Sequence, residues 1–375
     1  MRLTFARPHQ TIGQNYLTKE QRQAVMKPHL VAVAACVVLT ACGGSDAVFG
    51  TGDGSGDGSG GGTGGDTGSP IQGDRTLPPG TTSPTARTGI FRSEPTSTET
   101  AYNGNGYARD VSYNAADDTF SVDNLGFDGD NTYSRGTAVG SLGPYSVYEA
   151  DAQFLDSFDG EPVNQFRHRA IYGVSTSGNT QFAIVRTGAY VGYGFGGFIY
   201  QRNNEVNLPT TGQALFTGSV AGLRDYNGIG ALEYTTGDIR IAIDFDDFND
   251  TTGTRGDAVR GEIRNRRIFD LQGNDVTETT LNRINTQNNA TLREIPTATF
   301  TVGPGVMDDN GEILGQMTSY FVNNEGQALL FEEGNYYAII SGDQAQEIVG
   351  VVVLETSRDP AAPTVRETGG FIVYN

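Results

Sequence analysis

An all-β body is the fold class this sequence predicts: a C-terminal eight-stranded antiparallel soluble β-barrel, preceded by a smaller β-rich, handle-like unit and a disordered tether. Three observations predict it. After Ala86, short apolar or alternating runs are separated by clusters of Gly, Asn and Asp, and the chain carries 17 Tyr and 19 Phe but no Trp. No amphipathic helical window of convincing length occurs, Asp275–Gln287 being the best candidate. The two cysteines, Cys36 and Cys42, both belong to an N-terminal apolar run, so the body must be held by packing, without an intramolecular disulfide or a thiolate metal cage.

Residues 1–41 read as an export signal. Up to Ala41 there are five basic residues (Arg2, Arg7, Lys19, Arg22, Lys27) and one acid (Glu20). Leu30–Ala41 is an uncharged apolar stretch, too short for a bilayer core, which needs about 20 residues, and matched to a signal-peptide core. Met26-Lys27 sits where such a signal would normally start, so residues 1–25 are either part of it or an upstream mis-assigned start. Leu39-Thr40-Ala41-Cys42 resembles the lipobox of bacterial lipoproteins, which implies a Cys42 thiol carrying two acyl chains and anchoring the chain firmly to a membrane. Gly43 in place of Asp follows the sorting pattern that leads to the outer membrane. An ordinary signal peptide with a chance cysteine is the plainer alternative.

Residues 42–85 form the tether. From Gly50 to Gly68 only Gly, Asp, Ser and Thr occur, and Leu77-Pro78-Pro79 follows; nothing there can build a core. The Gly-Asp repeats lack the periodic aliphatic residue that calcium-binding β-helix repeats need. As a flexible coil, the stretch from Cys42 to Ala86 would span on the order of 35–40 Å r.m.s.. The signal segment is +4 against −19 for the whole chain, which leaves −23 for the remainder. Such a body repels phosphate backbones and anionic headgroups, which argues against nucleic acid and against direct electrostatic membrane binding. Every basic residue after Cys42 is Arg, read as a compositional habit and not as a site.

The body divides into a β-rich unit at 86–205 and a barrel at 206–375. Strand-like runs fall at Gln213–Val220, Asp238–Asp247, Asp257–Arg266, Arg293–Val302, Gly311–Val322, Asn335–Ser341, Glu347–Glu355 and Gly369–Tyr374. In Ile239–Phe245 the Ile and Phe residues share one face while Arg240 and Asp244 take the other, and Val259–Arg264 splits the same way. One apolar and one charged face suit a closed, water-soluble barrel without exposed edges. A transmembrane barrel could hold the charges in its lumen; the lipobox and the polar Asn375 favour the soluble form. Gly196-Gly197-Phe198-Ile199-Tyr200 echoes Gly369-Gly370-Phe371-Ile372-Val373-Tyr374, as if two units end on related strands.

Chemistry-bearing patterns are sparse, and no catalytic residue, metal or cofactor is assigned. His168 is the one histidine after Cys42, flanked by Arg167 and Arg169, and cannot build a His-based metal site. Ser175, Ser177 and Ser219 lie near glycines, but none sits in a nucleophile elbow. Asp244, Asp246, Asp247, Asn249 and Asp250, and Asp123, Asp128 and Asp130, read as solvated turn carboxylates or, alternatively, as calcium ligands. The run Tyr190–Tyr200 offers a candidate binding surface in Tyr190, Tyr193, Phe195 and Phe198, with strand packing across glycine as the competing reading.

Two stretches carry a family resemblance. Leu208-Pro209-Thr210-Thr211-Gly212-Gln213-Ala214-Leu215-Phe216-Thr217-Gly218 resembles the opening of the barrel domain of transferrin-binding protein B-like lipoproteins, and Glu347-Ile348-Val349-Gly350-Val351 with Gly369-Gly370-Phe371 is similar to its last strands. The resemblance covers residues 206–375 and the N-terminal signal. It implies a non-enzymatic surface lipoprotein with a handle and a barrel, for capture of iron, haem or another nutrient. Its implied partners are a membrane through the lipid anchor, and a protein ligand or a TonB-dependent transporter. No transferrin-contacting residue maps onto this chain, which has length for one lobe. A structural or interaction lipoprotein of the envelope without a nutrient ligand is the alternative.

Overall fold

Runs of Val, Ile, Tyr and Phe separated by Gly and Asp turns give two packed β-structures and a single helix among the described residues. The computed structural model describes residues 77–375 apart from 96–105, 124, 189–191, 247, 250–253, 256–257 and 302–305. The signal, the lipobox and the tether up to residue 76 therefore lie outside the described residues.

The first structure is a curled sheet. Its strands are β1 (Ile90–Ser93), β2 (Arg109–Asn114), β3 (Thr119–Asp123), β4 (Thr132–Arg135), β5 (Ser141–Leu142) and β6 (Tyr145–Ala150). A separate hairpin, β7 (Gln153–Leu155) and β8 (Pro162–Asn164), precedes β9 (Arg169–Val174), β10 (Thr180–Arg186) and β11 (Gly196–Arg202). The order is β1-β11-β10-β9-β6-β4-β3-β2, with β5 beside β6. The chain entering β2 returns to β11, where the Tyr107 N–H donates to the Gly196 carbonyl at 2.8 Å, and the curl encloses Phe120, Val122, Tyr133, Tyr148 and Val185. Residues 77–85, assigned to the tether by composition, are held on this sheet. The Ser93 N–H donates to the Pro79 carbonyl, and Arg92 Nη1 donates to the carbonyls of Pro78 and Thr81. A Pro-rich segment thus satisfies the outer edge of β1.

The second structure is a closed barrel. The short β12 (Val206–Asn207) lies parallel to its wall. The staves are β13 (Gln213–Tyr226), β14 (Leu232–Asp244), β17 (Ala258–Phe269), β18 (Ala298–Phe300), β19 (Glu312–Val322), β20 (Ala328–Asp343), β21 (Glu347–Thr356) and β22 (Val365–Tyr374). A two-residue pair, β15 (Phe248–Asn249) and β16 (Thr254–Arg255), stands apart. Antiparallel pairing runs β20-β19-β18-β17-β14-β13-β22-β21, and β20–β21 closes the ring. Each strand-like run of the sequence becomes one stave. Phe216, Ile239, Ile241, Ile243, Val259, Ile263, Met317, Tyr336 and Phe371 fill the interior, while Arg260 and Arg264 are exposed.

Two features depart from the expected apolar-in, charged-out pattern. Several staves run longer than their apolar runs, because charged residues continue them inside. Arg224, Arg266, Glu332 and Glu367 are buried, with Arg266 donating to Glu332 and Glu367 at 2.5–3.0 Å. The other departure is on the outer wall of β13 and β20–β22, which is not solvated: Leu223, Ile339, Val349, Val351 and Ile372 pack against Tyr145, Val147, Ile171, Phe182 and Ile184 of the sheet. Both faces of β21 and β22 are thereby buried, which explains the unbroken apolar run Ile348–Leu354. The weak helical window forms α1 (Thr277–Asn288), whose Leu281 and Ile284 pack on Ile268, Phe321 and Phe331 at the charged end of the barrel.

Candidate functional site

The aromatic run singled out in the sequence is divided by the fold. Tyr190 lies outside the described residues. Tyr193 is half-buried, its ring covered by the Arg366 guanidinium at 3.9 Å and its hydroxyl 2.7 Å from Thr364 Oγ1, so it ties the turn before β11 to the barrel. Phe198 is buried with its ring 6.1 Å from that of Tyr337, between sheet and barrel. Neither is a free contact surface, because strand alternation turns one toward the seam and the loop folds the other onto β22. Phe195 alone joins an outward cluster. Its ring lies 5.7 Å from Tyr107 in an edge arrangement, 6.1 Å from Phe127 and 6.5 Å from Phe166.

That cluster continues into residues the sequence reading passed over. Phe127 and Phe166 meet edge to face at 5.2 Å, and Phe154 of β7 lies over Gly129. Beyond them the β7–β8 hairpin carries Leu155, Val163 and, at its tip, Phe158, which is 97% exposed. The aromatic ledge is this ring cluster with the adjoining hairpin, which meets it through Phe154 and whose tip ring stands almost wholly in water. The tip is preformed: Phe158 N–H donates to Asp156 Oδ1 at 2.7 Å, Glu161 N–H donates to Asp159 Oδ1 at 3.0 Å, and Gly160 N–H donates to the Asp156 carbonyl at 2.8 Å. Gly160 takes the left-handed conformation, φ +76°, that lets the turn close. Asp156, Asp159 and Glu161 are exposed around the ring. An apolar knob held rigid within an acidic rim suits docking into an apolar pocket bordered by basic groups. The signal for it was Asp159-Gly160 between two short strand-like runs, a hairpin mark.

The other singled-out residues serve structure. His168 is fully buried at the start of β9. Burial pushes its pKa down to about 4, with the Nδ1 contact to the Phe166 carbonyl opposing and Arg169 adding a smaller depression. Ser177 donates to Glu347, and the Ser219 carbonyl accepts from the Tyr145 hydroxyl at 2.7 Å, both across the seam. Asp128 is buried, accepts from the Tyr133 hydroxyl, and is raised mainly by that burial. Asp244 and Asp246 accept from Gln213 and Gly212; Asp247 and Asp250 lie outside the described residues. No group of three or more His, Cys, Asp or Glu among the described residues is disposed to hold a metal ion. No helix among them is long and apolar enough to cross a membrane.

No protein-family model and no curated protein matches the chain. Solved structures similar to it include a variant of transferrin binding protein B from Haemophilus parasuis Hp5, at 13% identity and TM-score 0.31, covering 60% of this chain and 40% of that one. A variant of the same protein from Actinobacillus pleuropneumoniae H49 is similar at 12% identity and TM-score 0.25, covering 53% of this chain and 79% of that one. A surface lipoprotein is similar at 13% identity and TM-score 0.25, covering 62% of this chain and 100% of that one. The chain thus spans less than half the length of the Haemophilus protein it resembles.

Proposed function

We propose that this chain is a non-enzymatic binding lipoprotein of the bacterial outer membrane, anchored at the cell surface through acylated Cys42 and presenting the aromatic ledge to a protein ligand. The exposed, hydrogen-bonded Phe158 tip carries this reading. A ring left in water at the end of a preformed hairpin gains free energy only when a partner covers it, about 25 cal/mol per Å² of apolar surface, and the rigid turn lowers the ordering cost of docking. The other face of the sheet is already committed to the barrel. Nutrient capture, from an iron- or haem-carrying protein with transfer to a TonB-dependent transporter, is the specific form that the resemblance to transferrin-binding protein B-like lipoproteins implies.

The test is surface proteolysis of intact cells expressing the full chain or its Cys42→Ala variant, followed through a C-terminal epitope. Cleavage of the wild type on intact cells, with the variant released in soluble form, is the expected result. Full protection of the wild type would sink the surface assignment. On the same cells, capture of a panel of iron- and haem-carrying proteins is expected to fall about tenfold or more in Phe158→Ser, the scale of a central aromatic anchor, at unchanged surface level. Capture indifferent to Phe158 would remove the ledge from the reading.

A further inference from the structure

Along one margin the loop bearing β5 stands off the barrel wall, leaving an open cleft of about 650 Å³, within the roughly 300–1,000 Å³ common for small-ligand sites. Its polar lining comes from both structures: Ser141 of the sheet, and Thr236, Asp238, Asn265 and Arg267 of the barrel, with the ring of Phe269 beside them. A β-bulge builds this lining. The β14–β17 register shifts between Thr236 and Asp238, and opposite the shift Asn265 adopts φ +53°, a left-handed conformation within a strand. Bulges of this kind re-aim side chains, and a non-glycine residue kept there is strain retained in the fold. Here the bulge aims the Asn265 amide, whose Nδ2 donates to Asp238 Oδ2 at 2.7 Å. Arg267 donates to Asp275 from one amine, and its guanidinium carbon lies 5.9 Å from the Phe269 ring centre.

The chemistry of this set is specific. A carboxylate, a primary amide and a guanidinium are planar forks that offer paired hydrogen-bonding positions. Vicinal hydroxyls of a pyranose ring present pairs of matching donors and acceptors, and its C–H face packs on an aromatic ring. The hydroxyls of Ser141 and Thr236 add further partners. Arg267 is already paired with Asp275 and Asp238 carries its own charge, so the lining repels anions within a chain whose net charge is −19, and an uncharged ligand can use these forks without that cost. We propose that this cleft binds a neutral pyranose sugar through Asp238, Asn265 and Arg267, at a site separate from the aromatic ledge. The sugar could be free or the exposed end of a glycan; both offer the same ring.

The experiment is titration calorimetry on the full chain in a sugar-free amine-oxide detergent, with glucose, galactose, mannose and N-acetylglucosamine as free sugars and as methyl glycosides. Saturable binding of at least one is expected, weakened roughly ten- to hundredfold by Asp238→Ala and by Asn265→Gly, the scale of a lost hydrogen bond involving a charged group. Asn265→Gly relieves the left-handed strain, so its melting temperature without sugar should equal or exceed that of the wild type. Its loss of binding therefore cannot be ascribed to unfolding. Methyl glycosides that bind as well as free sugars would point to a glycan end, and selective binding of free sugars to a free ligand. Absence of binding across the panel, or affinity unchanged in both variants, would overturn the proposal.

Discussion

Arg266 sits inside the barrel between Glu332 and Glu367, where Lys could not supply the same pair of forked hydrogen bonds. Removing it strands two buried carboxylates. Arg266→Ala is therefore expected to cost about 3–5 kcal/mol, read as a fall in the urea midpoint. Two other buried groups give stability an opposed pH dependence. Asp225 is raised to about 7, chiefly by burial, with Arg186 and Arg366 opposing and Glu94 adding. Between its ordinary value near 4 and about 7 the folded chain holds a proton the unfolded chain has released, so this group's contribution falls as pH rises. His168, lowered to about 4 by burial, works the other way: below its ordinary 6.5 the unfolded chain takes up a proton that the folded chain refuses, so stability falls as pH drops. Relative to wild type, Asp225→Asn should gain stability from pH 4.5 to 7, and His168→Gln should gain on acidification from 6.5 to 4.5. Urea midpoints across that range check both, and curves parallel to wild type would contradict them. The sequence flagged His168 but not its burial, since Phe166-Arg167-His168-Arg169 reads as a polar segment.

At the scale of elements, alternation located every stave of the barrel but not the ends of most. β13 and β22 run on through Arg224, Asp225, Arg366 and Glu367, residues that hydropathy assigns to solvent. The glycines of β22 show why its sequence looks as it does. A Cβ at Gly370 would fall 2.1 Å from the Phe182 ring of β10, so this position lets sheet and barrel close on each other. Gly370→Val is expected to wedge them apart at a cost of about 1–3 kcal/mol or more, and limited proteolysis should then cut β9–β11 before the barrel. Equal resistance to wild type would mean the seam can repack. The echo between β11 and β22 is not repeated in the packing: Phe198 lies in the seam, whereas its counterpart Phe371 lies inside the barrel.

At the scale of the molecule, sheet and barrel are joined by more than apolar contact. Arg92 of β1 makes two 2.6 Å hydrogen bonds to Glu312 of β19 inside the seam, and Arg202 donates to the carbonyls of Ile340 and Thr88. Arg92→Met is expected to cost about 3–5 kcal/mol by leaving Glu312 buried without its cation, whereas adding Glu312→Leu should recover most of the loss. Calorimetry of the full chain checks this: one transition in the wild type and the double variant, a lower or split one in the single variant. Failure of the second change to rescue the first would mean the pair specifies the seam beyond its charge. Composition and strand periodicity alone specify the all-β class, the eight staves, the inward apolar face and a body without cysteine. These are local, being set by the two-residue strand period and by composition. The sequence offered Tyr190, Tyr193, Phe195 and Phe198 as a candidate surface, with strand packing as the competing reading, but not the separation of the last three. Only the tertiary structure separated them, put Phe195 beside Phe127 and Phe166, and raised Phe158 on its hairpin. It alone turned the arginine habit into buried ion pairs and bent Asn265 into the cleft. Such features depend on which distant strands meet and how much water is expelled between them, and neither quantity is carried by a local run of residues.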